Sequence, residues 1–381
     1  MAGKETRRTV RTFGMASFLN DFGSDMIYPI WPLFVTTFLG ANVAILGLID
    51  GLGDAMVSVS QAISGYASDR LRRRKVFVWT GYLMASASRL GYAVSTSWLN
   101  LIPFRVLDRA GKMRGAPRDA IIADVSTRED RGSNFGLLRS LDNLGAVCGI
   151  ITTILLFAFL GYKELFMIAA IPSAIGALLV FIAVRERKAE GARIFKGLSL
   201  KDLSRDFRVY LALSSVFALG SFSYSFLIIY ASQFGFQTVF IPVLYLIFTV
   251  FAAIFSLPFG RLSDRIGRKN VLFMGFAFWG MVCASMILVQ HYLAMILAFV
   301  LYGLSRAALE PVQRTLASEL SPAEYRASSL GGFQLVTGLT ALPASLMAGV
   351  LWVSVGMMVP LYLSLALTVA SMAMLAFVRE K

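Results

Sequence analysis

One charged turn occurs twice in this chain, each time directly after a long apolar run. The first copy is GYASDRLRRRK at residues 65–75, and the second, 195 residues later, is GRLSDRIGRKN at residues 260–270. The same offset aligns Asp124 with Glu319, an acid that follows an apolar run in each half. A repeat of half the chain length indicates an internally duplicated fold.

The apolar runs themselves predict helices that cross a membrane. The chain is 57% hydrophobic and only 15% charged, whereas a soluble protein of 381 residues needs far more polar surface. About twenty apolar residues cross the hydrocarbon core as a helix, while barrel strands alternate polar and apolar residues with a period of two. Because the runs are nearly continuous, the sequence predicts an all-α membrane protein with twelve transmembrane helices. They lie near residues 12–39, 43–67, 75–95, 97–123, 134–160, 164–184, 208–234, 239–261, 270–290, 293–316, 326–353 and 356–378.

Lysines and arginines concentrate in alternate loops, and this asymmetry predicts the orientation. Basic residues stay on the cytoplasmic side of short loops. Both charged turns, both termini and the segment 185–208 are basic, whereas the opposite loops offer little besides Lys163. Both termini are therefore predicted to be cytoplasmic. The net charge of +14 is then explained by topology and by attraction to anionic lipid, and no nucleic-acid partner is expected.

Residue patterns for several other chemistries are missing from the sequence. Cys148 and Cys283 fall inside predicted spans of different halves, which argues against a disulfide or a paired-cysteine metal site. His291, the only histidine, falls in a predicted outer loop, so a histidine proton relay inside the membrane is excluded. The chain contains neither a GxxxxGK[ST] phosphate loop nor an HExxH pair. No cofactor, no bound metal and no ATP-driven step are expected.

The repeated turn carries a family resemblance. The chain resembles transporters of the major facilitator superfamily, whose signature between spans two and three is Gly-x3-Asp-Arg-x-Gly-Arg-Arg/Lys, repeated between spans eight and nine. The second copy matches throughout, whereas the first has Arg72 in place of the second glycine. The matching residues are Gly65, Asp69, Arg70, Arg73 and Arg74 in the first copy and Gly260, Asp264, Arg265, Gly267, Arg268 and Lys269 in the second.

The resemblance implies two six-helix bundles related by a pseudo-two-fold axis along the membrane normal. The bundles are expected at residues 1–184 and 208–381, joined by a cytoplasmic linker at 185–207. Such bundles rock around a central site near the bilayer midplane. The protein is expected to be a monomer in the cytoplasmic (inner) membrane of a prokaryote.

The resemblance also implies that the two turns form an inner gate. Glycines at the start of each turn are expected to permit close helix approach. Asp124 is expected to pair with Arg70 or Arg73 of the first turn, and Glu319 with an arginine of the second. The predicted gate residues are Gly65, Asp69, Arg70, Arg73, Asp124, Gly260, Asp264, Arg265, Arg268 and Glu319.

Charged residues inside the spans predict a polar cavity, because a charge in hydrocarbon must face the bundle interior, paired or hydrated. The spans of the first half contain seven acids and seven bases. Their summed charge therefore does not indicate the charge of the substrate. Asp25 is expected to carry the coupling proton. The predicted proton-coupling and cavity residues are Asp21, Asp25, Asp50, Asp54, Arg89, Arg105, Asp108, Arg109, Lys112, Asp142 and Asn143.

Aromatic and hydroxyl side chains predict where the substrate binds. They concentrate in the second half, where few charges lie inside the spans. The sequence therefore predicts protons and charge in the first half and substrate contacts largely in the second. The predicted substrate contacts are Tyr28, Gln61, Tyr224, Tyr230, Glu310 and Gln334.

Two patterns resemble the drug and proton antiporters of the superfamily. Arg105 has the place of their span-four arginine, although Asp108 and Arg109 replace the Gln-Gly pair that follows it there. Gly136, Gly145 and Gly149 fit the first part of their span-five glycine pattern, whose proline and final glycines are absent here. The resemblance favours export.

The sequence thus predicts a secondary active transporter that exports a small organic or amphiphilic solute by alternating access, driven by protons. Proton-coupled uptake and facilitated diffusion remain open. So does export of a divalent metal ion bound by Asp21, Asp25, Asp50 and Asp54. Different classes are a membrane-embedded enzyme that uses the paired carboxylates of Asp50 and Asp54, and a sensor that does not transport. The duplicated gating turn argues against an enzyme.

Overall fold

The all-α class is confirmed by a computed structural model that describes residues 2–71, 73–126, 131–184, 203–289, 291–321 and 326–379. Within these ranges every regular element is a helix. The helices are α1 Ala2–Ile27, α2 Trp31–Leu33, α3 Val43–Leu71, α4 Arg74–Val94, α5 Trp98–Ala110, α6 Gly115–Val125, α7 Arg131–Leu156, α8 Tyr162–Ala183, α9 Arg205–Gly220, α10 Tyr224–Gln233, α11 Ile241–Ile266, α12 Arg268–Leu288, α13 Tyr292–Leu320, α14 Arg326–Ser354 and α15 Val359–Leu375.

The fifteen described helices form twelve membrane crossings, because three crossings are interrupted. Two prolines, Pro29 and Pro32, break the first crossing between α1 and α2, which continues as a π-helix at Phe34–Phe38. A 3-10 segment at Gly111–Arg114 joins α5 to α6. A break before Ser223, whose hydroxyl caps α10, divides α9 from α10.

Length and composition alone identify eight of the described segments as candidate membrane spans. They include the continuous run Arg205–Gln233, which joins α9 and α10 in one crossing. The remaining crossings carry too many charges, are too short or are not apolar enough for such a test.

Two compact units divide the chain, and α3 belongs to both of them. Unit 1 contains Met1–Gly40 and Met56–Phe195, and unit 2 contains Ala41–Ala55 and Lys196–Lys381. The beginning of α3 therefore packs within unit 2, while the rest of the same helix packs within unit 1. The linker predicted at 185–207 lies largely outside the described residues, so its limits stay a prediction.

Each unit repeats the same helix pairs. In unit 1, α1 packs against α7 and α8, and α4 packs against α8. In unit 2, α9 packs against α14 and α15, and α12 packs against α15. The α1–α7 contact is backbone to backbone, since a Cβ added at Gly145 would lie 2.3 Å from the Phe18 carbonyl oxygen, and one at Gly149 would lie 2.2 Å from that of Phe22. Two of the three span-five glycines thus have a packing role.

The beginning of α3 packs equally closely within unit 2. A Cβ at Gly47 would meet the Ser345 carbonyl oxygen at 2.2 Å, and one at Gly51 would meet the Leu342 Cα at 2.8 Å. Side chains larger than hydrogen are therefore excluded from both positions unless α3 moves away from α14.

Candidate functional site

A charge cluster in unit 1 brings α1 and α5 together. We use this name for Asp25, Tyr28, Asp108, Arg109 and Lys112. The Arg109 guanidinium lies 5.2 Å from the centre of the Tyr28 ring, and its Nη1 donates to the Tyr28 hydroxyl at 3.3 Å. The Arg109 Nε lies 3.8 Å from the Asp108 Oδ2. Asp25 is half-buried and interacts electrostatically with Lys112 and Arg109. Four predicted proton-coupling and cavity residues and one predicted substrate contact, Tyr28, are thus gathered at one place.

Arg105 lies beside the charge cluster but is packed beneath an aromatic ring. Its side chain is 2% exposed, and the guanidinium lies 4.2 Å from the centre of the Trp31 ring. Tyr92 also packs against Trp31, with the two ring centres 4.9 Å apart. The Arg105 guanidinium also interacts electrostatically with Asp108 of the charge cluster. Trp31 was not among the predicted site residues, because a tryptophan in an apolar run looks like a packing residue.

Arg89 joins α4 to two other helices. Its Nη1 donates to the Ala169 carbonyl at 2.8 Å and to the Ser173 hydroxyl at 2.5 Å, both on α8. Its Nη2 donates to the Ser24 hydroxyl at 2.8 Å and to the Asn20 carbonyl at 3.1 Å, both on α1. With 1% of its surface exposed, Arg89 has the contacts of a structural residue that holds three helices together.

Asp21 and Asp142 lie where α1 meets α7. Asp142 is 8% exposed and interacts electrostatically with Asp21, which is half-buried. Asn143, the next residue on α7, is exposed, and so is most of Arg139, whose Nη1 lies 3.5 Å from the Asp142 Oδ2. Gln61 lies on α3 in unit 1 and is half-buried, within 3.5 Å of the position that a Cβ at Gly115 would take.

Asp50 and Asp54 are in unit 2, whereas Asp21 and Asp25 are in unit 1. The Asp50 carboxylate is 1% exposed and accepts hydrogen bonds from Ser223 Oγ at 2.9 Å and from Ser225 Oγ. Asp54 interacts electrostatically with Arg306 on α13. In the part of the chain that the structure describes, no three histidine, cysteine, aspartate or glutamate side chains form a group able to hold a metal ion. The four aspartates considered for a divalent cation are thus not assembled into one site.

An aromatic wall lines part of unit 2. We use this name for Tyr224, Tyr245, Phe248 and Tyr302, whose rings contact one another in that order at centre distances of 5.2, 5.4 and 4.6 Å. Arg306 follows Tyr302 by one turn of α13 and donates to the Glu310 carboxylate. Tyr245, Phe248 and Tyr302 were not predicted, since aromatic residues are common throughout these apolar runs.

Two predicted substrate contacts lie elsewhere. Tyr230 is fully buried, donates to the Met357 carbonyl and packs on Trp352 with ring centres 4.3 Å apart. Its contacts are those of a packing residue. Gln334 lies on α14 with an exposed side chain.

The second charged turn holds an arginine between two carboxylates. Arg268 Nη1 lies 2.5 Å from Asp264 Oδ1, and its Nη2 lies 3.1 Å from Glu319 Oε1. Gly267 adopts a φ of +93°, a conformation that glycine accepts without strain, and this lets α12 begin directly after α11. Arg265 is exposed.

The first charged turn makes the equivalent ion pair one residue later. Asp124 Oδ2 lies 2.5 Å from Arg74 Nη1, whereas Arg70 or Arg73 was the expected partner. Arg70 and Arg73 are exposed. The difference has a backbone cause, because α4 begins at Arg74, and the residue before it has a φ of −131° where the second turn has its glycine. Arg72 and the side chain of Asp69 lie outside the described residues.

The close helix approach expected at the first glycine of each turn is not present in this structure. A Cβ at Gly65 would lie 3.6 Å from the Ala116 Cβ, an ordinary contact, and a Cβ at Gly260 would meet nothing within 4 Å. The expectation was wrong for this conformation because α3 and α11 are both uncrowded at these positions. In contrast, Gly47 and Gly51 have the close contacts.

Comparisons with known proteins agree with this architecture. The family model for the Major Facilitator Superfamily matches residues 13–252 and 209–381. An uncharacterised MFS-type transporter of Methanocaldococcus jannaschii is 37% identical over 358 residues, which cover 92% of this chain and 89% of that protein. A Na+, Li+, K+/H+ antiporter of Planococcus maritimus is 21% identical over 192 residues, which cover 49% of this chain and 45% of that protein.

A solved structure supports the fold independently of sequence. A variant of the nucleoside transporter NupG matches with a TM-score of 0.80 and 15% sequence identity, and the match covers 96% of this chain and 99% of that chain. At this level of identity the likeness concerns the fold alone.

Proposed function

Since this chain belongs to the major facilitator superfamily, we propose that it is a secondary active transporter that exports a small organic or amphiphilic solute in exchange for protons. The observation that carries the proposal is the charge cluster of unit 1. It places a half-buried carboxylate, Asp25, within a membrane-crossing helix and within electrostatic reach of Lys112 and Arg109. A charge at that depth is costly and is retained where it serves transport.

The cluster has the parts that proton exchange requires. Asp25 can accept a proton, while the nearby cations stabilise its charged form and the neighbouring Asp21 disfavours it. Tyr28 and Asp108 hold Arg109 in place, so that its charge stays directed at the cluster. When a proton neutralises Asp25, the balance of charge in the cavity changes by one unit, and this change biases the equilibrium between two conformations.

The substrate is proposed to contact the aromatic wall. The wall offers flat apolar rings and phenol hydroxyls, which suit a small amphiphilic molecule. The ion pair of Arg306 and Glu310, one turn away on α13, is partly exposed and supplies a polar contact at its edge. A relative that matches about half of this chain is named as a cation/proton antiporter. This supports a mechanism in which solute and protons move in opposite directions.

The charged turns are proposed as the inner gate, with both termini in the cytoplasm of a prokaryotic cell. Each turn binds the acid that follows its half's fourth crossing, Asp124 in the first copy and Glu319 in the second. The repeated ion pair therefore stabilises one conformation at the basic end of each unit.

Flux into sealed proteoliposomes tests the proposed function. Protein reconstituted with an imposed pH gradient is expected to move at least one member of a panel of small organic solutes against its concentration gradient. The flux should collapse when a protonophore removes the gradient. Solute movement that follows only the gradient of the solute itself would show facilitated diffusion, and movement in the same direction as protons would show uptake.

Removal of Arg268 is expected to weaken the gate. Its two carboxylate contacts are partly exposed, so each contributes about 0.2–1 kcal/mol, and Arg268→Met should shift the conformational equilibrium roughly two- to thirtyfold. Labelling of a cysteine introduced at Arg265 by a membrane-impermeant maleimide measures the shift. Arg261→Met, which removes an exposed arginine of the preceding helix α11, is the control. The exchange of Arg268→Glu with Glu319→Arg should restore the original labelling rate, and an unaltered rate in Arg268→Met would remove the gate role.

A further inference from the structure

A polar stripe runs along α1 from the charge cluster toward the basic end of the helix. It consists of Tyr28, Asp25, Asp21 and Ser17, which follow each other at three- or four-residue intervals and so share one face of the helix. Asp21 and Asp25 are half-buried, and Ser17 is 2% exposed. Neighbouring positions at this spacing are about 5–6 Å apart between Cβ atoms.

The buried end of the stripe meets Asp142 of α7. The two helices touch there through their backbones, as the 2.3 Å approach of Gly145 to the Phe18 carbonyl shows. Asp142 interacts electrostatically with Asp21 and with Arg118, the arginine that donates to Ser17. The stripe and Asp142 therefore place hydroxyl and carboxyl groups close to one another within unit 1.

Two features suit Asp142 to receive a proton. Its Oδ1 is buried and has no hydrogen-bond partner among the described residues, which leaves one carboxylate oxygen with acceptor capacity. The Ser17 hydroxyl oxygen accepts a hydrogen bond from Arg118 Nη1 at 2.7 Å. Accepting from the arginine leaves the Ser17 hydroxyl with its own hydrogen to donate.

We propose that the polar stripe is a proton-transfer route from Asp25 to Asp142, used in the proton-coupled cycle proposed above. A proton leaves the Asp25 carboxyl group and binds the Asp21 carboxylate. It then passes to Ser17 Oγ while the original hydroxyl proton of Ser17 moves to Asp142. At the end Ser17 is again a neutral hydroxyl, Asp21 is again ionised, and Asp142 is a neutral acid.

The charged groups around Asp142 are consistent with a reversible step. Asp21 faces it from α1, Arg118 from α6 and Arg139 from α7. The Arg118 Nε also contacts Asp119 Oδ1 at 3.0 Å, so its charge is divided between that acid and the stripe. Charges of both signs therefore face the carboxyl group that would receive the proton.

Asp142→Asn tests the route, because asparagine keeps the shape of the side chain but carries no exchangeable acid. The measurements are pH-gradient-driven flux and counterflow, in which one solute molecule exchanges for another without net proton movement. Driven flux is expected to fall on the order of tenfold or more, while counterflow stays above half of the wild-type rate. Ser17→Ala should lower driven flux in the same way, and Asp142→Glu should restore part of it. The matched control is Asp119→Asn, which contacts the same arginine but lies outside the stripe.

Three outcomes would overturn the route. Driven flux in Asp142→Asn equal to that of wild type would remove the residue from proton movement. An equal loss of driven flux and counterflow in Asp142→Asn and Ser17→Ala would assign both to packing of α1 on α7. Driven flux restored by a sodium gradient would identify a sodium site. The proposed function fails separately, since it requires pH-driven flux in the wild-type protein.

Discussion

Asp25→Asn is expected to abolish pH-gradient-driven transport while solute counterflow continues. The asparagine side chain cannot exchange a proton, so the change of charge that biases the charge cluster no longer occurs. We expect driven flux to fall on the order of 100-fold, to the level of liposomes without protein. Counterflow requires binding and conformational exchange but no net proton movement, so it separates coupling from folding. Both are measured in the same proteoliposome preparation.

The control for this experiment is Glu164→Gln, which removes an exposed acid from the first turn of α8 in the same unit. It should leave both rates near those of wild type. Undiminished driven flux in Asp25→Asn would remove Asp25 from the coupling role. Loss of counterflow as well would point instead to a role in substrate binding.

Arg89→Met is expected to cause a large loss of stability. The substitution removes the hydrogen bonds by which the buried guanidinium joins α4 to α1 and α8. Hydrogen bonds to a charged group contribute about 1.5–3 kcal/mol each and are not additive, so the free energy of unfolding should fall by roughly 2–5 kcal/mol. Thermal unfolding of the detergent-solubilised protein, followed by tryptophan fluorescence, measures the change.

Two further variants of α4 serve as controls for Arg89→Met. Leu90→Met changes the next residue, which is half exposed, and should unfold near the wild-type temperature. Arg89→Lys keeps the charge but loses the planar fork that reaches α1 and α8 together, so an intermediate loss is expected. If Arg89→Met were as stable as wild type but lost pH-driven flux, the residue would belong to coupling and not to structure.

The fold was predictable from the sequence because two independent patterns agree on it. Apolar runs of membrane-crossing length indicated helices, and the repeated turn indicated two copies of one unit. The structure adds the reason for the agreement, since α4 packs on α8 as α12 packs on α15. The pairing of Asp124 with a turn arginine was also predictable, but its partner was not. The shift to Arg74 accompanies a later helix start, since α4 begins at Arg74 whereas α12 begins at Arg268, which the repeat aligns with Arg73.

Spatial grouping of the charged residues was less predictable. The sequence counts seven acids and seven bases in the first half, but Asp50 and Asp54 belong to unit 2, so unit 1 contains five of those acids with all seven bases. Residue order cannot show that one helix divides its contacts in this way. The role of Arg89 was hidden for a similar reason, because its acceptors are mostly backbone carbonyls and serine hydroxyls that carry no sequence signal.

The division of α3 limits how the protein can be cut into pieces. A fragment ending near residue 184 would contain Asp50 without the hydroxyl groups of Ser223 and Ser225, and Gly47 without the backbone of Ser345. A fragment beginning near residue 208 would lack the beginning of α3, which packs against α14. Each piece would thus lack packing partners that the other contains, although the sequence repeat indicates two copies of one unit. Co-expression of the two fragments, followed by their co-purification, is therefore the form in which a split version of this transporter should be sought.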